Sequence, residues 1–179
     1  MKTNIHIKGG INIITDILKV FEQNKNFVFR LALSYTKSVQ DAEDISQIVF
    51  IKMFENKDKV EEGKEKAWLA KVTVNQCKNL LKSFWRKNIV SMEQEIEFEN
   101  PEHSEIYDKV MKLQAKYRVV ILLYYFEEYS TKEIADILNI GQSLVTKRLH
   151  RARKKLETIL KEECYEYALQ RNHGTNKNA

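Results

Sequence analysis

The sequence predicts an all-α protein: two small helical domains joined by an acidic linker, the C-terminal one containing a helix-turn-helix. Three observations carry that reading. The 179 residues include one Pro and five Gly, 31% are charged, and Leu, Ile, Lys and Glu recur in long runs, a composition that favours helices. Charge comes in blocks: Lys and Arg number 16 against 10 Asp and Glu over residues 1–90, none against 7 over 91–108, and 14 against 8 over 109–179. Finally, Ser130-Thr131-Lys132-Glu133 has the form of a capping box and opens a pattern of helix, short turn and strongly basic helix.

Along the chain, Gly9-Gly10 is isolated and predicts a turn. Ile13 to Ala32 then places Ile14, Ile17, Leu18, Phe21, Phe27 and Leu31 at helical spacing and predicts one or two helices. Asp41 to Phe54 predicts the next, with Asp41, Glu43 and Asp44 in the first turn, where acids favour the positive end of the helix dipole. Asp44 and Gln47 are three apart and share a face; spacing alone favours a capping cluster and a solvated polar stripe. Glu65 to Arg86 predicts a third helix, with the β-branched Val72-Thr73-Val74 as the point where it could break.

Toward the end of that third segment, Asn75 and Asn79 supply polar amides, and Lys78, Lys82 and Arg86 recur at every fourth position beside Phe84 and Trp85. Two readings stand. Cations, amides and aromatics together suit a surface that holds phosphates and contacts unpaired bases; equally, the aromatics are core and the lysines a solvated face. The stretch Ser91 to Glu102 has no cation, contains the chain's single proline, Pro101, and reads as extended or disordered. The boundary falls there, giving an N-terminal domain over residues 1–90, a linker over 91–105 and a C-terminal domain over 106–179.

Within the C-terminal domain, Ser130 should start a helix whose apolar face is Ile134, Ala135, Ile137 and Leu138, and Asn139-Ile140-Gly141 should turn the chain. A second helix from about Gln142 directs Val145, Leu149, Ala152 and Leu156 inward and leaves Ser143, Thr146, Lys147, Arg151 and Lys154 outward. From Lys147 to Lys155, seven of nine residues are basic or His and none is acidic, which argues against an ordinary solvated hairpin. With Gln142 and Arg148, these outward residues are the candidate duplex-contacting set. The tail from Asn172 to Ala179 is polar and reads as frayed.

Other chemistries find no residues. There is no phosphate-cradling Gly-rich loop and no His-Glu-x-x-His, the four His are scattered, and no catalytic residue or cofactor is expected. Cys77 and Cys164 lie far apart without zinc spacing and read as two reduced, partly buried thiols, so no metal is expected. No apolar run approaches the roughly 20 residues needed to cross a bilayer, and Met1-Lys2-Thr3-Asn4 leads into no signal-peptide core. A cytoplasmic protein without direct membrane insertion is the expectation.

Taken together the segments resemble a bacterial RNA polymerase sigma factor of the extracytoplasmic-function group. Asp41-Ala42-Glu43-Asp44-Ile45-Ser46-Gln47-Ile48-Val49-Phe50 resembles the group's core-polymerase-binding segment. Trp68-Leu69 followed by Val74-Asn75-Gln76-Cys77-Lys78-Asn79 resembles its melting and minus-ten-recognition segment, and Tyr129 to Leu156 its minus-thirty-five-reading helix-turn-helix. The likeness covers roughly residues 20–160, in the family's order. It implies that Asp44, Gln47 and Phe50 contact core polymerase, that Asn75 receives a base flipped from the non-template strand, and that Lys78, Asn79, Lys82 and Arg86 lie on the same DNA-facing stretch. It implies also that the acidic strap Glu93 to Glu102 runs through the polymerase near the RNA exit path. The implied partners are core RNA polymerase, promoter DNA and an anti-sigma factor. Departures are Ile48 where many members carry an acid, Gly141 in place of a Ser cap, and Leu144 in place of a small or hydroxylated residue, so the promoter sequence cannot be copied from a relative. The competing reading is an autonomous operator-binding regulator, which would have no reason to carry Asp44 to Phe50 and Asn75 to Lys87 together.

Overall fold

A computed structural model describes residues 7–86 and 105–174, with side chains over 18–83 and 105–163. The helices are α1 (Ile7–Thr36), α2 (Val39–Glu55), α3 (Glu65–Arg86), α4 (Glu105–Lys112), α5 (Ala115–Ile121), α6 (Thr131–Leu138) and α7 (Gln142–Gly174). They fall into two compact units, Met1–Glu95 and Ile96–Ala179, each with its own core. The linker expected over 91–105 lies outside the described residues except for Glu105, which opens α4. Also outside are the tail from 175 and the side chains of Phe84, Trp85, Arg86 and Cys164.

In the first unit α1, α2 and α3 pack against one another. Phe27, Val28, Leu31 and Ala32 of α1, Ala42, Ile45, Val49 and Met53 of α2 and Leu69, Ala70, Val74 and Cys77 of α3 form the buried apolar core. Its buried polar side chains are satisfied inside their own helices: Asn24 Nδ2 donates to Val20 O (2.8 Å), Ser34 Oγ to Leu31 O (2.7 Å) and Thr73 Oγ1 to Leu69 O (2.8 Å). Helix α3 runs unbroken through Val72-Thr73-Val74, where Thr73 and Val74 are buried in the core and the Thr73 hydroxyl is satisfied by the preceding turn. Between α1 and α2 the chain turns at Lys37, whose φ is 53°, and Ser38 Oγ then accepts from the amide of Asp41 (3.2 Å) to cap α2.

Two expectations for α1 are corrected. The helix is single and longer than Ile13 to Ala32, and Gly9-Gly10 lies inside it and is no turn; glycine weakens a helix by about 1 kcal/mol per residue without ending it. Leu18 is exposed, not part of the apolar face.

The second unit packs α7 against α4, α5 and α6. After α5, residues Leu122–Phe126 form one π-helical turn in which the Glu127 amide reaches back to Leu122 O (3.1 Å), and Glu128 follows with φ 59°. Arg118 is only 3% exposed; its Nη1 donates to Leu113 O (2.6 Å) and Met111 O (3.2 Å), placing a cation on the carbonyls that end α4. Farther along α7, Glu163 bridges Lys109 and Lys112 of α4, the latter at 3.0 Å, and both hydrogen bonds hold its carboxyl below the ordinary range. The helix continues to Gly174, so Asn172 to Gly174, expected to fray, are helical.

Leu149 is 1% exposed on α7. Leu149→Ala should destabilise the C-terminal unit by about 2–5 kcal/mol. Hydrogen exchange followed by mass spectrometry should show amides of α5, α6 and α7 losing protection while those of α1 to α3 keep theirs.

Candidate nucleic-acid interface

Ser130 begins the helix-turn-helix with a complete capping box. Its Oγ accepts from the Glu133 amide (3.3 Å) and donates to Glu133 Oε2 (2.6 Å), while its own amide donates to the same oxygen (2.9 Å). These bonds lower the Glu133 pKa. Just before, Tyr129 is pushed up to about 12 by burial, with the charges of Glu127 and Glu133 adding, and stays a neutral phenol.

Helix α6 ends at Asn139, a left-handed residue with φ 52°, and the Ile140 amide reaches back to Ala135 O (3.1 Å). Gly141 O then accepts from Leu144 N (2.9 Å) and Val145 N (3.2 Å), making Gly141 the residue from which α7 starts. No atom lies within 4 Å of where its Cβ would be and its φ is not in the left-handed region, so a side chain at this position would be accommodated.

The outcome is a basic face opposite a buried apolar one. Val145, Leu149 and Ala152 are buried, and Gln142, Ser143, Thr146, Lys147, Arg151 and Lys154 are exposed on the other side; Arg148 is half-buried at the edge. Exposed His150 and Arg153 extend the cationic surface, whereas Lys155 lies 6.0 Å from the ring centroid of Tyr117 and is partly committed to packing. Thr146 Oγ1 donates to Gln142 O (3.2 Å), and Gln142 Nε2 donates to Thr131 Oγ1 (2.9 Å) across the turn. Thr131 was not a candidate from sequence, because the bond spans eleven residues and two helices.

On α3, Asn75, Asn79 and Lys82 share one exposed face opposite buried Val74 and Cys77, while Lys78 is half-buried beside them. Arg86 belongs to the stretch whose side chains lie outside the described residues. Cys77 was expected to be partly buried; it is fully buried, and burial pushes its thiol up to about 12.

On α2, Asp44 and Gln47 are exposed, but Phe50 is half-buried with its ring edge-on to Phe21 of α1 at 4.8 Å, so it is shared with the fold. The sequence reading missed the neighbours of Asp44 and Gln47. Ile48, Ile51 (58% exposed) and Phe54 (55% exposed) lie on the same side of α2 and turn the polar pair into a mixed polar and apolar strip. The available signal was an excess of apolar residues in α2 over what one buried stripe can hold.

Comparison with known proteins follows the same division. Residues 20–87 match the family described as Sigma-70 region 2, and residues 103–156 match Sigma-70, region 4. The chain is 28% identical to the ECF RNA polymerase sigma factor SigW of Bacillus subtilis, over 87% of this chain and 92% of that one. It is 30% identical to the RNA polymerase sigma factor SigV of the same organism, over 78% of this chain and 88% of that one. Among solved structures, the sigma factor RpoE of Bartonella quintana, crystallised with the anti-sigma factor NepR, has the same fold with a TM-score of 0.70 and 23% identity, covering 84% of this chain and 97% of its own.

Replacing Ser130 by Ala should cost about 1 kcal/mol through loss of the cap. The Glu133 carboxyl is lowered in the folded state, so its contribution is present above the ordinary carboxylate pKa and is lost as pH falls through the lowered value. Thermal midpoints of wild type and Ser130→Ala, compared from neutral to acid pH, should draw closer toward the acid end without meeting, because the Glu133 amide still donates to Ser130 Oγ when the carboxyl is protonated.

Proposed function

The chain belongs to the extracytoplasmic-function group of RNA polymerase sigma factors, and from that premise we propose how its three exposed faces divide the work of a promoter-specificity subunit. It binds core RNA polymerase and directs initiation at particular promoters, reading two promoter elements and stabilising the melted strand. The observation that carries this reading is that α3 and α7, in separate units, each bury an apolar face and turn a polar face with amides, hydroxyls and cations to solvent.

In this proposal residues 1–90 hold core polymerase and the minus-ten element, residues 91–105 connect, and residues 106–179 read the minus-thirty-five element. Asp44 and Gln47, supported by Ile48, Ile51 and Phe54, form the polymerase contact, with the edge of Phe50 beside them. Asn75 receives the extruded base, with Lys78, Asn79, Lys82 and Arg86 along the strand. Ser143, Thr146 and Lys147, with Gln142, face base edges in the major groove; Arg148, Arg151 and Lys154 face phosphates, which position the helix without specifying sequence. The protein performs no chemistry of its own and acts in the cytoplasm, where the polymerase is. Its inhibitory partner is an anti-sigma protein, of the kind with which the Bartonella quintana protein was crystallised.

Replacing Asp44 and Gln47 together by Ala should abolish co-migration with purified core polymerase while leaving helical content unchanged, because exposed polar substitutions shift stability by less than about 0.5 kcal/mol. The free wild-type protein should bind duplex promoter weakly, at about 10⁻⁴–10⁻⁶ M in physiological salt, and gain specificity on core enzyme. Tight, specific duplex binding without polymerase would instead identify an autonomous operator-binding regulator.

Extruding a base from the stack costs a few kcal/mol that a pocket must offset. Asn75→Ala should therefore slow strand opening more than it weakens the initial closed complex. Permanganate reactivity of promoter thymines at matched occupancy checks this; equal reactivity in wild type and variant rejects the role of Asn75.

A further inference from the structure

Both helices of the helix-turn-helix begin with a residue whose side chain points at the other. Thr131 is the first residue of α6 and Gln142 the first of α7, and Gln142 Nε2 lies 2.9 Å from Thr131 Oγ1. The Thr131 hydroxyl is not spent on capping, because Ser130 and Glu133 cap α6 between themselves. The backbone carbonyl of Gln142 accepts from Thr146 Oγ1 at 3.2 Å one turn along α7, so the bond to Thr131 is the contact that holds the carboxamide itself. An exposed glutamine on a helix surface ordinarily samples many rotamers and loses that freedom when it contacts a ligand. Here the carboxamide is already tied to a half-buried residue of the supporting helix.

The chemistry left over is specific. A carboxamide has two N–H donors and one carbonyl acceptor, so with one N–H given to Thr131 it presents one donor and one acceptor. That pair complements adenine, whose major-groove edge offers the N7 acceptor and the N6 donor. The first turn of a recognition helix is also the part that reaches base edges.

We propose that Thr131 is a positioning residue which holds the Gln142 carboxamide so that it specifies adenine at one position of the upstream promoter element. The inference rests on the reading of α7 as the minus-thirty-five helix and deepens it. Thr131 itself touches no base.

The test uses holoenzyme reconstituted from the full chain and core polymerase, transcribing a promoter library randomised through the upstream element, with transcripts sequenced. Gln142→Ala should reduce preference for adenine at a single position on the order of tenfold. Thr131→Val, which keeps the shape and removes the hydroxyl, should lose most of the same preference and leave the other positions unchanged. Thr131→Ser should restore it, and the double variant Thr131→Val with Gln142→Ala should be no worse at that position than Gln142→Ala alone. The capping box is untouched, so the thermal midpoint of Thr131→Val should match wild type within a degree or two, on the order expected for a surface change. If Gln142→Ala loses the adenine preference while Thr131→Val retains it, the positioning role is overturned. Loss spread evenly over all positions in Thr131→Val would also overturn it, by showing a displaced helix in place of an oriented amide. Were Gln142→Ala, Thr146→Ala and Lys147→Ala all without effect on upstream preference, the reading of α7 as the base-contacting helix would itself fail, and this inference with it.

Discussion

Burial of Val145, Leu149 and Ala152 is the constraint on which the C-terminal unit depends. These residues recur at helical spacing along α7 and face α5 and α6 with essentially no exposure. Once they are inside, the helix cannot rotate without bringing Lys147 or Arg151 into an apolar core, at a desolvation cost far above any single contact on the surface. The same burial therefore anchors the helix and chooses which of its side chains face solvent. Short segments supply the angle between α6 and α7: the left-handed Asn139, the return of the Ile140 amide to Ala135, and the start of α7 at Gly141.

Around this pair the unit spends its strong polar interactions on holding helix ends. Arg118 carries a charge into the core, yet it meets the carbonyls of Met111 and Leu113, which would otherwise end α4 without partners. Glu163 draws α7 back onto Lys109 and Lys112 of α4. Neither contact touches the basic face. The Glu163 pairs join α7 to α4, and the Arg118 bonds hold the end of α4 against α5.

The N-terminal unit follows a different economy. Its buried hydroxyls and amide bond to carbonyls of their own helices, and α1, α2 and α3 meet largely through apolar side chains, with Lys66 of α3 lying over the Phe27 ring of α1 at 5.0 Å. Polar groups able to recognise something else are left outside, on α2 and α3. The α2 face joins Asp44 and Gln47 to Ile48, Ile51 and Phe54, an arrangement that suits a protein partner better than a phosphate backbone, since apolar area gains from burial and charge sets register. The α3 face, with Asn75, Asn79 and Lys82, has the opposite character.

Local chemistry was legible in the sequence alone. Ser130 and Glu133 are three residues apart, and a capping box is decided within one helical turn, so the start of α6 could be placed without the fold. The all-α class, the inward stripe of α7 and its outward cations followed from periodicity for the same reason: residues three and four apart share a face whatever the helix packs on. Tertiary structure decided the rest. Whether Thr73 breaks α3 or bonds inside it, whether Gly9-Gly10 turns or stays helical, and whether Leu18, Ile51 and Phe54 are core or surface depend on neighbours that periodicity does not name. Phe50 was a candidate contact that packing on Phe21 partly claims. The bond from Gln142 to Thr131 and the reach of Arg118 to Met111 join residues eleven and seven apart, and such contacts exist only once the turns between their helices have set the angle at which the helices cross.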